Sequence, residues 1–162
     1  MAFVLDCSVT LPWFLEDERT EFTDSLLFSV KTTEYWVPAI WCLEFPNALL
    51  VAERRKRIDR GRRLEALDQV ARLLVRVDNE PIVMKAVSGI AERHDLSTYD
   101  AAYLELAVRL SAGLITLDRT LRKQPVSKES RCRRPVARPP RKRASAMPRG
   151  LHDGRRTTIS GR

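Results

Sequence analysis

Apolar residues fall into two kinds of run along this chain, and their spacing predicts strands alternating with helices. AFVLD at residues 2–6 and LITLD at residues 114–118 are short and almost continuously apolar, as buried strands are. Tyr35, Trp36 and Val37 predict a third, briefer strand. Elsewhere the apolar period lengthens to that of a helix. A turn through Cys7, Ser8 and Val9 leads to a helix with Pro12 in its first turn, where the missing N–H costs little. Phe22, Leu26, Leu27 and Val30 predict a second short helix. Pro38 is expected to open a long one through Leu43, Glu44, Asn47, Leu50 and Val51, ending in the basic run Arg54, Arg55, Lys56, Arg57. Leu64, Leu67, Ala71 and Leu74 predict the next, after Gly61, and Ile82, Val83, Ala86, Val87 and Ile90 another. Ser97 starts the last, with Ala101, Leu104, Ala107 and Val108 on its apolar face, and Gly113 ends it and begins the strand to Asp118. Such alternation predicts an α/β fold with a small parallel sheet.

The periodicity stops at Gln124. PVSKESRCRRPVARPPRKRASAMPRG has neither a helical nor a strand period and is rich in Pro and Arg, so residues 124–162 are expected to be a disordered basic tail behind a domain at 1–123. Residues 124–162 carry 12 Lys/Arg and 2 Asp/Glu, a net of +10, against 17 and 19 in 1–123, a net of −2. The sequence pI near 9.9 is thus a property of the tail. At 44% hydrophobic, the chain can bury a core. Cys7, Cys42 and Cys132 are odd in number and share no metal-ligand spacing, which favours free thiols over disulfides. No apolar run approaches membrane-spanning length, and a soluble cytoplasmic protein is expected.

Four acids stand out by position. Asp6 and Asp118 close the two apolar runs, and ligands of open α/β sheets bind outside the carboxyl ends of the strands. Glu44 lies inside the apolar stretch AIWCLEF, where an unpaired carboxylate is rarely buried, and Asn47 projects from the same side one turn later. Asp100 opens the helix after Ser97. A cluster of these carboxylates would repel itself without a hard divalent cation. Each also has a plainer reading. Asp100 fits a capping box with Ser97, Asp118 can cap the turn that Arg119 begins, and Asp6 can hold the turn near Ser8.

VLDCSV, VPAIWCLEFPNALL, LSTYDAAYLELA and LITLDRTL, taken in order, resemble the motifs of PIN-domain ribonucleases, and among them the VapC-type toxins of bacterial toxin–antitoxin pairs. The resemblance covers about residues 2–123. It implies a PIN-like α/β/α sandwich and a Mg²⁺- or Mn²⁺-dependent endoribonuclease. Its metal-site acids would be Asp6, Glu44, Asp100 and Asp118, with Ser8 and Asn47 in supporting positions. It also implies a homodimer and a small VapB-like antitoxin that blocks the site. On general grounds, strand ends make Asp6 and Asp118 the first choices for direct ligation, with Glu44 and Asp100 acting through water.

The chain departs from the pattern in two places. Pro46 removes a backbone bond inside the Glu44 helix, so a bend or a boundary between two helices is expected there. After LDRTLRK the family continues with a short helix and a last apolar strand, neither of which is visible here. A frameshift near Lys123 in a GC-rich gene would give this ending, and a missing edge strand would leave backbone groups unpaired. Two other functions compete with the nuclease. One is a catalytically impaired PIN domain that only binds antitoxin or RNA. The other is a basic nucleic-acid-binding protein acting through its tail, whose charge holds phosphates without sequence preference. The run Arg54–Arg57 is read as a solvated helix end, His94 as structural, and Trp13, Trp36 and Trp41 as core or dimer-interface residues.

Overall fold

The computed structural model describes residues 2–124; all of the expected basic tail after Gln124 lies outside them, as does Cys132. Four strands, β1 (Ala2–Leu5), β2 (Glu34–Pro38), β3 (Val75–Asp78) and β4 (Gly113–Ile115), form one parallel sheet in the order β3-β2-β1-β4. Parallel neighbours need crossover connections, and six α-helices lie among the described residues. They are α1 (Cys7–Thr10), α2 (Glu21–Ser29), α3 (Trp41–Arg54), α4 (Arg60–Val70), α5 (Met84–His94) and α6 (Thr98–Arg109). The α/β expectation holds. Among the described residues β4 pairs only with β1 and forms one edge of the sheet.

Several helices begin where short polar side chains replace lost backbone partners. Thr20 and Thr23 close a reciprocal capping box at α2, with Thr23 N–H donating to Thr20 Oγ1 at 3.2 Å and Thr20 N–H to Thr23 Oγ1 at 3.0 Å. Asp59 accepts from Arg62 N–H at 2.7 Å at the start of α4. Ser97 accepts from Asp100 N–H at 3.0 Å at the start of α6.

The core gathers Val4, Leu5, Val37, Leu49, Leu104 and Leu106, all buried, and each such side chain contributes about 1.5–3 kcal/mol relative to exposure. Trp41 stacks on Phe45 with centroids 5.1 Å apart, and Phe14 meets Phe45 edge-on at 5.4 Å. Trp41 donates its indole N–H to Thr10 Oγ1 at 3.0 Å, tying α3 to α1 beneath the sheet's carboxyl edge. Trp13 and Trp41 are core residues, while Trp36 is half-buried with the Arg76 guanidinium 5.5 Å above its ring.

The structure corrects several boundaries. Pro38 ends β2 and does not open a helix; α3 begins at Trp41. Pro12 sits in a 3-10 turn, Leu11–Trp13. Pro46 lies within a single continuous α3, so it does not divide two helices. The helix expected through Ala71 and Leu74 stops at Val70, and VRVD at 75–78, to which the apolar spacing assigns no element, is a strand. Ile82 and Val83 precede α5, which starts at Met84. Val108, assigned to the apolar face of α6, is exposed. The strand before Asp118 ends three residues earlier, at Ile115.

Candidate active site

The strand order places a crevice between β1 and β4. From β1 the chain moves outward through β2 to β3, then crosses back to the other side of β1, so the switch point lies where β1 and β4 meet. Ligands of open α/β sheets bind at such points, outside the carboxyl ends of the strands. Leu5 is in register with Ile115, and Asp6 N–H donates to Ile115 O at 3.0 Å. Asp6 and Thr116, the next residues on the two strands, therefore face one another across the crevice.

Asp6 is buried, with 6% of its surface exposed. Its Oδ2 accepts from Ser8 Oγ and, at 2.8 Å, from Thr116 Oγ1. Burial raises the Asp6 carboxyl above the ordinary aspartate range, and those two hydroxyls oppose the shift. Ser8 also accepts from Leu117 N–H at 3.0 Å, and Thr116 from Asp118 N–H at 2.9 Å. The two hydroxyls thus stitch the turn after β1 to the segment after β4 and converge on one carboxylate oxygen.

Glu44 enters from the first turns of α3. It is half-buried, and its Oε2 accepts from the hydroxyl of Tyr103 on α6. Burial is the main cause that raises the Glu44 carboxyl; the Tyr103 hydrogen bond opposes it, and the charges of Asp6 and Asp100 push it further up. Asp100 is held at the start of α6, where its Oδ2 accepts from Ser97 Oγ at 2.7 Å. The cap is Ser97, whose hydroxyl accepts from Asp100 N–H; the Asp100 carboxylate takes no backbone N–H among the described residues, so the expected capping box is not closed. Cys7 lies in the same field. Burial, followed by the charges of Asp6 and Glu44, pushes its thiol up to about 12.

Asp118 behaves differently. It is exposed, and its Oδ1 accepts from Thr120 and Leu121 N–H, each at 2.8 Å, capping the 3-10 turn Leu121–Lys123. It joins the network through its backbone N–H. Asn47 is exposed on α3, one turn beyond Glu44. Of the residues singled out from sequence, Asp6 and Ser8 are in direct contact, Glu44 is half-buried and bonded to Tyr103, and Asp118 and Asn47 are exposed.

Sequence reasoning passed over Thr116 and Tyr103. Thr116 is a lone hydroxyl in an otherwise apolar strand end, 7% exposed, and a buried hydroxyl requires a partner. Tyr103 is one helical turn from Asp100, a spacing that puts both on one side of α6.

The donor set is all oxygen, as a hard divalent cation requires. The field that Asp6 and Asp100 impose on Glu44 is one that a cation would relieve. Among the described residues no group of three or more His, Cys, Asp or Glu is placed to hold a metal ion.

Comparison with known proteins bears on the fold and the family. Over 124 residues the chain is 28% identical to Ribonuclease VapC3 of Pyrobaculum aerophilum, covering 75% of this chain and 92% of that protein. Its backbone is similar to the crystal structure of PAE2754 from Pyrobaculum aerophilum, with a TM-score of 0.59 and 22% identity over 75% of this chain and 82% of that one. It is also similar to VapBC2 from Rickettsia felis bound to a DNA fragment from their promoter, with a TM-score of 0.58 and 12% identity over 78% and 95% of the two chains. The PIN domain family matches residues 3–126, and the chain belongs to that family.

Proposed function

We propose that this chain is a metal-dependent endoribonuclease and the toxic component of a toxin–antitoxin pair. The observation that carries this is the buried Asp6 carboxylate at the switch point of the sheet, held there by Ser8 and Thr116. Membership of the PIN family and the likeness to a protein named as a ribonuclease support it. Asp6, Glu44 and Asp100 would hold a Mg²⁺ or Mn²⁺ ion, with Asp118 at the rim because its Oδ1 already accepts two backbone N–H groups. Such an ion, when bound, neutralises charge on the scissile phosphate and the leaving oxygen. The protein's own part is positional: Ser8 and Thr116 fix Asp6, while Asp100 and Glu44 keep the crevice negative until a cation enters. The expected partners are an RNA substrate, a VapB-like antitoxin over the same crevice and a second copy of the chain, in the cytoplasm. Among the described residues no helix is long and apolar enough to cross a membrane.

The test is RNA cleavage by the purified chain with Mn²⁺, Mg²⁺ or EDTA, for the native protein and Asp6→Asn. Cleavage should need the metal and disappear in the variant. Activity that survives both would overturn the proposal. The engagement of Asp118 in capping favours a second reading, an impaired PIN domain, which predicts Mn²⁺ binding without cleavage.

A further inference from the structure

We infer that Tyr103 is a positioning residue whose hydroxyl, donated to Glu44 Oε2, sets the direction in which that carboxylate faces the crevice shared with Asp6 and Asp100. The inference rests on the metal-site reading above and extends it to a residue with no charge of its own.

The tyrosine ring is 1% exposed in the core, so packing fixes its orientation. Its hydroxyl reaches from α6 to α3 across 59 positions of sequence and meets Glu44. A buried hydroxyl needs an acceptor, and here the acceptor is a group that sequence and geometry both place in the site. Glu44 is the least constrained of the three acids. Asp6 is held by two hydroxyls and Asp100 by Ser97, whereas Glu44 has a longer side chain and is held by Tyr103. Asp100 lies three residues before Tyr103 on the same helix, so α6 presents a carboxylate and a rigid donor to one side. One Glu44 oxygen is thereby committed to a neutral donor, and the other remains for a cation or its water.

Partners of this kind orient metal-binding carboxylates, and their removal typically costs about 10–100-fold in metal affinity. Tyr103→Phe deletes one oxygen and keeps the ring. Mn²⁺ binding to the full chain, followed by calorimetry or by the electron spin resonance of free Mn²⁺, should weaken by about 10-fold or more in this variant. In a Glu44→Ala background the same change should add nothing, because a residue that acts through another has no effect once that other is gone. Native-like binding by Tyr103→Phe, or a loss of the same size without Glu44, would overturn the inference. Failure of the native chain to bind Mn²⁺ would instead sink the metal-site reading itself.

A second measurement needs no substitution. The chain has 3 tyrosines, and after labelling with 3-fluorotyrosine the Tyr103 fluorine resonance should move on adding Mg²⁺. That of Tyr35, whose hydroxyl is bonded to Ser29, should stay in place. A Tyr103 signal that ignores bound Mg²⁺ would refute the positioning role even if the phenylalanine variant did not fold.

Discussion

Replacing Thr116 by valine tests the crevice at the hydroxyl that links its two strands. The substitution keeps the branched shape and removes Oγ1, which donates to Asp6 Oδ2 at 2.8 Å and accepts from Asp118 N–H at 2.9 Å. A hydrogen bond to a charged group contributes about 1.5–3 kcal/mol net. The lower half of that range applies, because Ser8 still donates to Asp6 and Asp118 is exposed, so its N–H can turn to water. The expected loss is about 2 kcal/mol. For a folded body of about 120 residues, an unfolding entropy near 2.1 cal/mol/K per residue converts this to about 8 °C in Tm. Thermal denaturation with and without Mn²⁺ is the assay. Thr116→Val should melt lower without metal and gain less from Mn²⁺, since Asp6 is no longer held from both sides. Thr116→Ser keeps the oxygen and loses one methyl group, worth about 0.8 kcal/mol, and should keep the full response to Mn²⁺. If valine matched the native protein in both measurements, or serine fell as far as valine, the hydroxyl would not organise Asp6.

Other consequences can be checked independently. Asp6 and Glu44 have raised carboxyls in the folded chain, so the folded state binds protons more readily than the unfolded one just above the ordinary carboxylate range. Without metal, stability should therefore rise as pH falls from neutral through that window, and Asp6→Asn should flatten the trend in urea titrations; a metal-free protein steadily weakened over that window would contradict the assignment. Half-buried Cys7, with its thiol pushed up to about 12, should react more slowly with iodoacetamide at pH 8 than exposed Cys42, as read by peptide mass spectrometry; equal labelling would refute the negative setting. Arg109 pairs with buried Asp78 and with Glu105 at 3.0 Å. Arg109→Leu should cost about 2 kcal/mol, less than the 3–5 of a fully buried pair because the arginine is partly exposed, and a urea midpoint shift near zero would show that the pair contributes nothing.

The parts of this fold legible in the sequence are those where burial alone sets the pattern. β1 and β4 are apolar on both faces because helices and neighbouring strands cover them, and their runs stand out without context. β3 was lost because it is short and lies at the edge: VRVD alternates over only four residues, and the preceding Ala71 and Leu74 happen to extend the helical spacing of α4. Pro38 misled for a related reason. A proline can open a helix, yet it is equally at home at the end of a strand that needs no further N–H donor, and only the register with Asp78 decides between the two.

Within the site, the acids were legible and their partners were not. Glu44 was conspicuous as a charge in an apolar stretch, and Asp6 as the end of a strand. Their positions follow from the strand order, which brings residues 110 positions apart, Asp6 and Thr116, into direct hydrogen bonding. Thr116 and Tyr103 carry no charge and sit where apolar residues also fit, so composition gives no reason to select them. The same topology explains the standing of Asp118. Once β4 ends at Ile115, the position facing Asp6 belongs to Thr116, and Asp118, two residues further, is free to cap the following turn. The placement of a carboxylate near a strand end was readable; its distance past the last paired residue, which separates a crevice position from the rim, was not. That distance is fixed by the register of β1 with β4, from Phe3 opposite Gly113 to the bond from Asp6 N–H to Ile115 O, a product of long-range pairing that no local pattern encodes.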